Sequence, residues 1–220
     1  MRIVGCEILH CNAGWRDFSF LKLMTDENIT GISEYNECYG SPGLSGIIRR
    51  LVERVKDMDP LAHEHIHQCL YAATRQAPGG VNQQAIAAIE NALLDIKGQA
   101  LNIPVYDILG GAIRKEIPVY WSHCGTYIWR PEIAELCGVE AIRKTEDLVN
   151  LGKRVKDQGF LGLKTNMITF NEDVGASLYM PGTAGHPGWP DLNVPSSLIG
   201  QLRDQLIAMQ EGAGSDVGVR

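Results

Sequence analysis

No apolar run approaches the roughly 20 residues that a membrane-spanning helix needs, so no membrane anchor is expected. The N-terminus lacks a basic region followed by a long apolar segment, which speaks against a secretory signal. There is no basic run either. Lys and Arg number 20 against 26 Asp and Glu, a formal charge of −6. Nucleic acid and anionic membrane are therefore poor partners. None of the six cysteines (Cys6, Cys11, Cys38, Cys69, Cys124, Cys137) forms a CxxC pair. They are scattered over a chain too long to need staples, so reduced thiols in a cytoplasm are expected. What the chain has is apolar content: 45% of 220 residues, enough for a sizeable core in one large or two small domains.

Residues 2–9, 18–25 and 30–35 alternate as strands, with Phe18 and Phe20 on one face and turn chemistry at Asp26-Glu27-Asn28. They predict an antiparallel meander. The connection Asn12-Ala13-Gly14-Trp15-Arg16-Asp17 reads either as a ligand-facing loop or as a surface turn with a half-buried Trp. Ser41-Pro42 predicts a helix cap followed by an apolar stripe from Leu44 to Val55. Asp59-Pro60 predicts a helix start running to about Ala73, broken by Gln76–Gly80. Gln84–Ala100 is apolar nearly all round, the pattern of a helix buried on most sides. A short helix over Pro104–Leu109 closes on Gly110-Gly111. Strands followed by helices indicate an α+β domain over 1–115.

From 116 to 220 the pattern changes to strands alternating with helices, which predicts parallel pairing. Strands are expected at Ile117–Trp121, Phe160–Lys164 and from Val217, and helices over Thr145–Gln158 and Pro195–Glu211. The helix at 195–211 carries Leu198, Leu202, Leu206 and Met209 in register, and Asn171–Val194 is read as a long irregular loop. A full (β/α) barrel takes about 250 residues, so this portion is expected to be the first part of one, in a fragment of a longer protein.

The chemistry centres on Gly159-Phe160-Leu161-Gly162-Leu163-Lys164-Thr165-Asn166. Alternation places Leu161 and Leu163 on one face and Gly162, Lys164 and Asn166 on the other. If the leucines pack on helices, Lys164 and Asn166 face the barrel interior at the carboxyl ends of the strands. A partly desolvated lysine there suits proton chemistry or oxyanion stabilisation. The same lysine could instead snorkel to solvent.

Three stretches carry a resemblance. Ala88–Gly98 continuing through Pro104–Gly111 to Ile117-Pro118-Val119-Tyr120, the meander Leu23–Glu34, and Gly159–Asn166 together resemble the enolase superfamily, in its mandelate racemase and muconate lactonizing branch. The resemblance implies a capping α+β domain followed by a TIM-type (β/α) barrel. It implies Mg²⁺ on three carboxylates, expected beyond Arg220, and removal of a proton α to a carboxylate with the enediolate stabilised on the metal. Asp216 is no substitute ligand, because it starts its strand. Many members carry Lys-x-Lys where this chain has Lys164-Thr165-Asn166, and Asn166 cannot take a proton. The resemblance therefore implies dehydration of a sugar acid, Lys164 holding the carboxylate or enediolate and Asn166 a hydroxyl. A racemase or cycloisomerase of the same superfamily is the alternative. Trp15 and Arg16 match the loop that closes over substrate, with Tyr35 and the Cys38–Gly43 loop as further contacts and His123 at the rim of the first barrel strand. The resemblance implies a homo-oligomer.

Two other readings stand beside it. His63-Glu64-His65-Ile66-His67 matches H-E-x-x-H, which on a helix can hold zinc, but the two histidines sit at the margin of the apolar stripe, as on a solvated edge. The other reading is of an inactive fragment or interaction domain. Gly40-x-x-Gly43-x-x-Gly46 follows no βαβ strand and is turn-and-cap glycine rather than a nucleotide loop.

Overall fold

The computed structural model describes residues 1–38, 40–171, 175–179 and 196–219. The chain divides into two compact units, Met1–Lys115 and Glu116–Arg220.

In the first unit β1 (Ile3–Asn12), β2 (Asp17–Thr25) and β3 (Thr30–Tyr35) form the antiparallel meander β1-β2-β3. Leu21 and Leu23 of β2 face inward and Phe18 and Phe20 lie half-buried on the other face. The inward face packs on α1 (Leu44–Arg54) and α3 (Gly80–Leu101), with α2 (His63–Ala73) against α3; α4 (Val105–Ile108) follows. Gly31 is required where β3 crosses α3: a Cβ there would lie 2.8 Å from the Ala92 carbonyl carbon and 2.9 Å from Ile96 Cγ1. The outer edge of β3 is then satisfied by side chains of α3. The Ile32 N–H donates to Asp95 Oδ2 at 2.8 Å, and Gln99 Nε2 donates to the Thr30 carbonyl at 2.8 Å. An edge strand left bare would invite pairing with another chain.

Two helix starts differ from expectation. Ser41 does not cap α1; its hydroxyl donates to Gln84 Oε1 at 2.7 Å, and the cap position is Gly43 in the left-handed region (φ 85°). Glycine brings no capping oxygen, so the Glu37 carboxylate supplies it, accepting from the Ser45 hydroxyl and from the N–H groups of Ser45 and Gly43. α2 begins at His63, because Asp59 Oδ1 accepts the Leu61 N–H at 3.0 Å and forms a turn first.

The second unit runs β4 (Trp121–Ser122), α5 (Pro131–Leu136), α6 (Thr145–Asp157), β5 (Gly162–Lys164), β6 (Met167–Asn171), β7 (Gly175–Tyr179), α7 (Ser196–Ala213) and β8 (Gly218–Val219). β4, β5 and β8 pair in parallel in that order, with Trp121 opposite Leu163 and Gly162 opposite Gly218. The fold is an α+β domain of the capping type followed by the first part of a (β/α) barrel.

The strand expected over Ile117–Trp121 is shorter than its composition suggests. Pro118 has no N–H for a ladder, and only the Val119 carbonyl is engaged, accepting from Leu161 N at 3.3 Å. Part of the loop expected at Asn171–Val194 is ordered as the antiparallel hairpin β6–β7; residues 180–195 lie outside the described residues, as does Tyr39 in the Cys38–Gly43 loop. Of the expected register Leu198, Leu202, Leu206 and Met209, Met209 is fully buried, Leu198 and Leu206 are half-buried and Leu202 is exposed; the inward face of α7 is Gln205, Ala208, Met209 and Ala213. Small residues are needed because α6 and α7 cross backbone to backbone. A Cβ on Gly152 would stand 2.8 Å from Ala213 N, and one on Gly212 2.8 Å from the Val149 carbonyl carbon.

Candidate functional site

β4 and β5 end side by side, Ser122 opposite Lys164. Beyond them the chain is stitched across. Cys124 N donates to the Lys164 carbonyl at 2.9 Å, and the Thr165 hydroxyl donates to the Cys124 carbonyl at 2.8 Å. His123 takes a left-handed conformation (φ 57°) between the two elements. Its Nδ1 lies 2.9 Å from the Ser122 hydroxyl, and its ring stacks on Tyr127 at 6.2 Å between centroids. Under this rim Cys124 is fully buried, and burial pushes its thiol up to about 12.

Lys164 borders a cavity of about 290 Å³ whose walls are Tyr120, Leu161, Gly162 and Gly218 with their neighbours. The expected desolvation is not found: Lys164 is exposed, because the strands beside it are two or three residues long and wall it on few sides. Leu163 is buried on the helices as expected, but Leu161, in the bend before β5, is 63% exposed. β5 closes at Lys164, so strand alternation does not carry through to Asn166, which is half-buried in the segment leading to β6.

One buried polar side chain was not singled out from sequence. Gln205 of α7 is 2% exposed. Its Oε1 accepts from Ile168 N at 2.8 Å, and its Nε2 donates to the Asn166 carbonyl at 2.8 Å and to the Thr165 hydroxyl at 3.4 Å. The one signal for it in sequence is its helical spacing with Ala208, Met209 and Ala213.

The structure thus brings His123, Lys164 and Asn166 together in the second unit, whereas Trp15, Arg16 and Tyr35 belong to the first. Trp15 and Arg16 are half-buried in the β1–β2 turn. The Arg16 guanidinium lies 4.4 Å from the Phe18 ring centroid and 5.6 Å from that of Trp15, which meets Phe18 edge-on at 5.7 Å. Tyr35 is 7% exposed in the core of its unit, and its hydroxyl lies 2.6 Å from Ser45 Oγ. Burial raises its phenol above the usual value. Its place is structural, so it drops out of the proposed site.

The H-E-x-x-H pattern resolves into contacts with α3. Lys97 Nζ sits 3.3 Å from His63 Nδ1, and His67 Nδ1 lies 3.1 Å from Glu90 Oε2. An ammonium on one candidate ligand opposes a second cation there. No group of three or more His, Cys, Asp or Glu side chains able to hold a metal occurs among the described residues. The same finding bears on Mg²⁺. Asp216 is exposed ahead of β8, at its amino end.

A meander-and-helix domain followed by parallel strand–helix units, with polar groups gathered at the strands' carboxyl ends, defines the class: a barrel chain of the kind that carries its chemistry on that rim. Residues 11–110 match the family described as mandelate racemase / muconate lactonizing enzyme, N-terminal domain. A D-galactonate dehydratase of Xanthomonas axonopodis pv. citri is 35% identical over 127 residues, covering 54% of this chain and 31% of that relative. The D-galactonate dehydratase of Pectobacterium atrosepticum is 39% identical over 108 residues, covering 46% of this chain and 26% of that one. A crystal structure of a putative L-alanine-DL-glutamate epimerase from Burkholderia xenovorans superposes with a TM-score of 0.89 at 38% identity, over 100% of this chain and 55% of that chain. The same protein bound to magnesium and fumarate gives 0.88. Residues 11–110 are thus similar to the N-terminal domain of mandelate racemase and muconate lactonizing enzymes, and the chain as a whole is similar to that solved structure. It spans about half the length of the solved structures it matches. No described helix is long and apolar enough to cross a membrane.

Proposed function

We propose that the full-length protein removes the proton α to a carboxylate, in the dehydration of a sugar acid. The observation that supports this is the joint carboxyl end of β4 and β5, with Ser122 opposite Lys164, His123 following β4 and Asn166 following β5. In the reaction the α-carbon gives up its proton and the neighbouring carbon its hydroxyl, as water. The enol that remains tautomerises to a 2-keto acid. Lys164 holds the substrate carboxylate and the charge that grows on it, with three N–H donors. Asn166 holds a hydroxyl and His123 bonds the substrate at the rim. The reading takes Mg²⁺ as cofactor, which when bound neutralises the enediolate. Its ligands would lie outside the described residues, and no step is drawn through it. The protein is read as a cytoplasmic homo-oligomer with a small sugar acid as its substrate and without nucleic-acid or membrane partners.

An epimerase or other isomerase is the second reading, favoured by the name of the solved relative with 38% identity. A two-base reaction needs a proton acceptor on each side of the carbon, and an amide at Asn166 cannot serve as one. The test is a screen of the full-length protein on acid sugars with Mg²⁺. Turnover to a 2-keto acid, abolished in Lys164→Ala with the circular dichroism spectrum unchanged, is the expected result. Activity unaffected by Lys164→Ala would overturn the assignment.

A further inference from the structure

We infer that Gln205 is the positioning residue of this site: it holds the strand end that presents Lys164 and Asn166, and so acts on substrate without touching it. The inference rests on the reading above for what is being positioned; the clamp itself rests on geometry.

Beyond Lys164 the main chain leaves the sheet before it enters β6, and no strand partner fixes it. Three groups are at hand: the Thr165 hydroxyl and the Asn166 carbonyl in that segment, where the hydroxyl lies 3.0 Å from the carbonyl, and the Ile168 N–H near the start of β6. Gln205 meets all three from α7, at 3.4, 2.8 and 2.8 Å. The amide orientation is dictated, since an N–H faces its oxygen and a carbonyl faces its nitrogen. The Thr165 hydroxyl passes the constraint on by donating to the Cys124 carbonyl, next to His123. One buried side chain thus fixes the ends of both strands from a helix that contributes no group to the rim. Buried polar side chains carry a desolvation cost unless every group is bonded, and here the amide is divided between the segment after Lys164 and Ile168 in β6. An apolar residue would suit the core at this position as well and would leave the segment unanchored. Displacement of a binding group by about 1 Å can cost a hundredfold in rate.

The experiment is a double-mutant cycle in the full-length protein. Gln205→Leu removes both ends of the clamp; Gln205→Glu keeps the acceptor for Ile168 N–H and sets a carboxylate against the Asn166 carbonyl. With a turned-over sugar acid and Mg²⁺, Gln205→Leu is expected to lower kcat/KM tenfold or more in the parent. In an Asn166→Ala background the loss shrinks to less than about threefold, because part of what was positioned is gone. Gln205→Glu falls between. An equal loss in both backgrounds would mean a merely structural role and would overturn the inference, as would no loss at all. Amide hydrogen exchange gives the second readout: Gln205→Leu should speed exchange at Ile168 at least tenfold and Gln205→Glu should not. If the parent turns over no sugar acid, the proposed function falls by itself, and unchanged protection of Ile168 in Gln205→Leu would then overturn the clamp separately.

Discussion

The crossing of α6 and α7 offers a quantitative test, because one helix contains both a confined and an unconfined glycine. Gly212 faces α6, where a methyl group would lie 2.8 Å from the Val149 carbonyl carbon and 2.9 Å from Lys153 N. Gly200, in the same helix, has no atom of the described residues within 4 Å of the equivalent point. Carbon atoms pack best at about 3.5–4.0 Å, so Gly212→Ala must part the helices by on the order of 1 Å. Overpacking of this kind costs about 1–3 kcal/mol. Alanine recovers about 1 kcal/mol of helix propensity at either position. Taking the upper end of the clash, because backbone meets backbone and no side chain can swing away, Gly212→Ala should destabilise the second unit by about 2 kcal/mol. Gly200→Ala should stabilise it by up to about 1 kcal/mol. For a domain of this size that corresponds to a fall of roughly 10 °C against a rise of about 5 °C. Thermal unfolding followed by near-ultraviolet circular dichroism reads both. Equal shifts in the two variants, or a stabilised Gly212→Ala, would refute the close crossing.

Two further outcomes follow from the titrating groups. Cys124, buried with its thiol pushed up to about 12, should resist iodoacetamide at pH 8 while the exposed Cys11, Cys38, Cys69 and Cys137 react; mass spectrometry showing Cys124 labelled at their rate would contradict its burial. Burial works to raise the Glu37 carboxyl, but bonds from the Ser45 hydroxyl and the Ser45 and Gly43 N–H groups outweigh it and hold the group below the usual 4.5. A lowered folded value contributes stability that is present above about pH 4.5 and is lost as pH falls through the lower value. Glu37→Gln should therefore cost under about 1 kcal/mol at pH 7, given solvent screening, and less at pH 3. The same gap in denaturant midpoint at both pH values would rule out the charged cap.

Much of the architecture was legible in the pattern of residues. Alternation marked the meander, the apolar circumference of 84–100 marked the buried α3, and the change to strand–helix alternation marked parallel pairing; all depend on local periodicity. The candidate lysine was legible for the same reason, as the polar end of a short apolar strand. What could not be read were contacts between segments far apart in the chain. Ser41 reads as a cap, yet Gln84 takes its hydroxyl and Glu37 does the capping. Leucine spacing suggested one face of α7, yet backbone contact with α6 turned a face of Gln205, Ala208, Met209 and Gly212 inward.

The sequence by itself determined which apolar faces of the meander and of α3 would be buried and which strand would end in Lys164, because periods of 2 and 3.6 residues are set by backbone geometry alone. Only the tertiary structure decided how that strand end is held, how exposed its ammonium is, and that H-E-x-x-H belongs to Lys97 and Glu90 of α3. Those answers depend on which distant groups arrive within 3 Å or so of one another, and hydrogen bonding and close packing are short-ranged while chain separation is not.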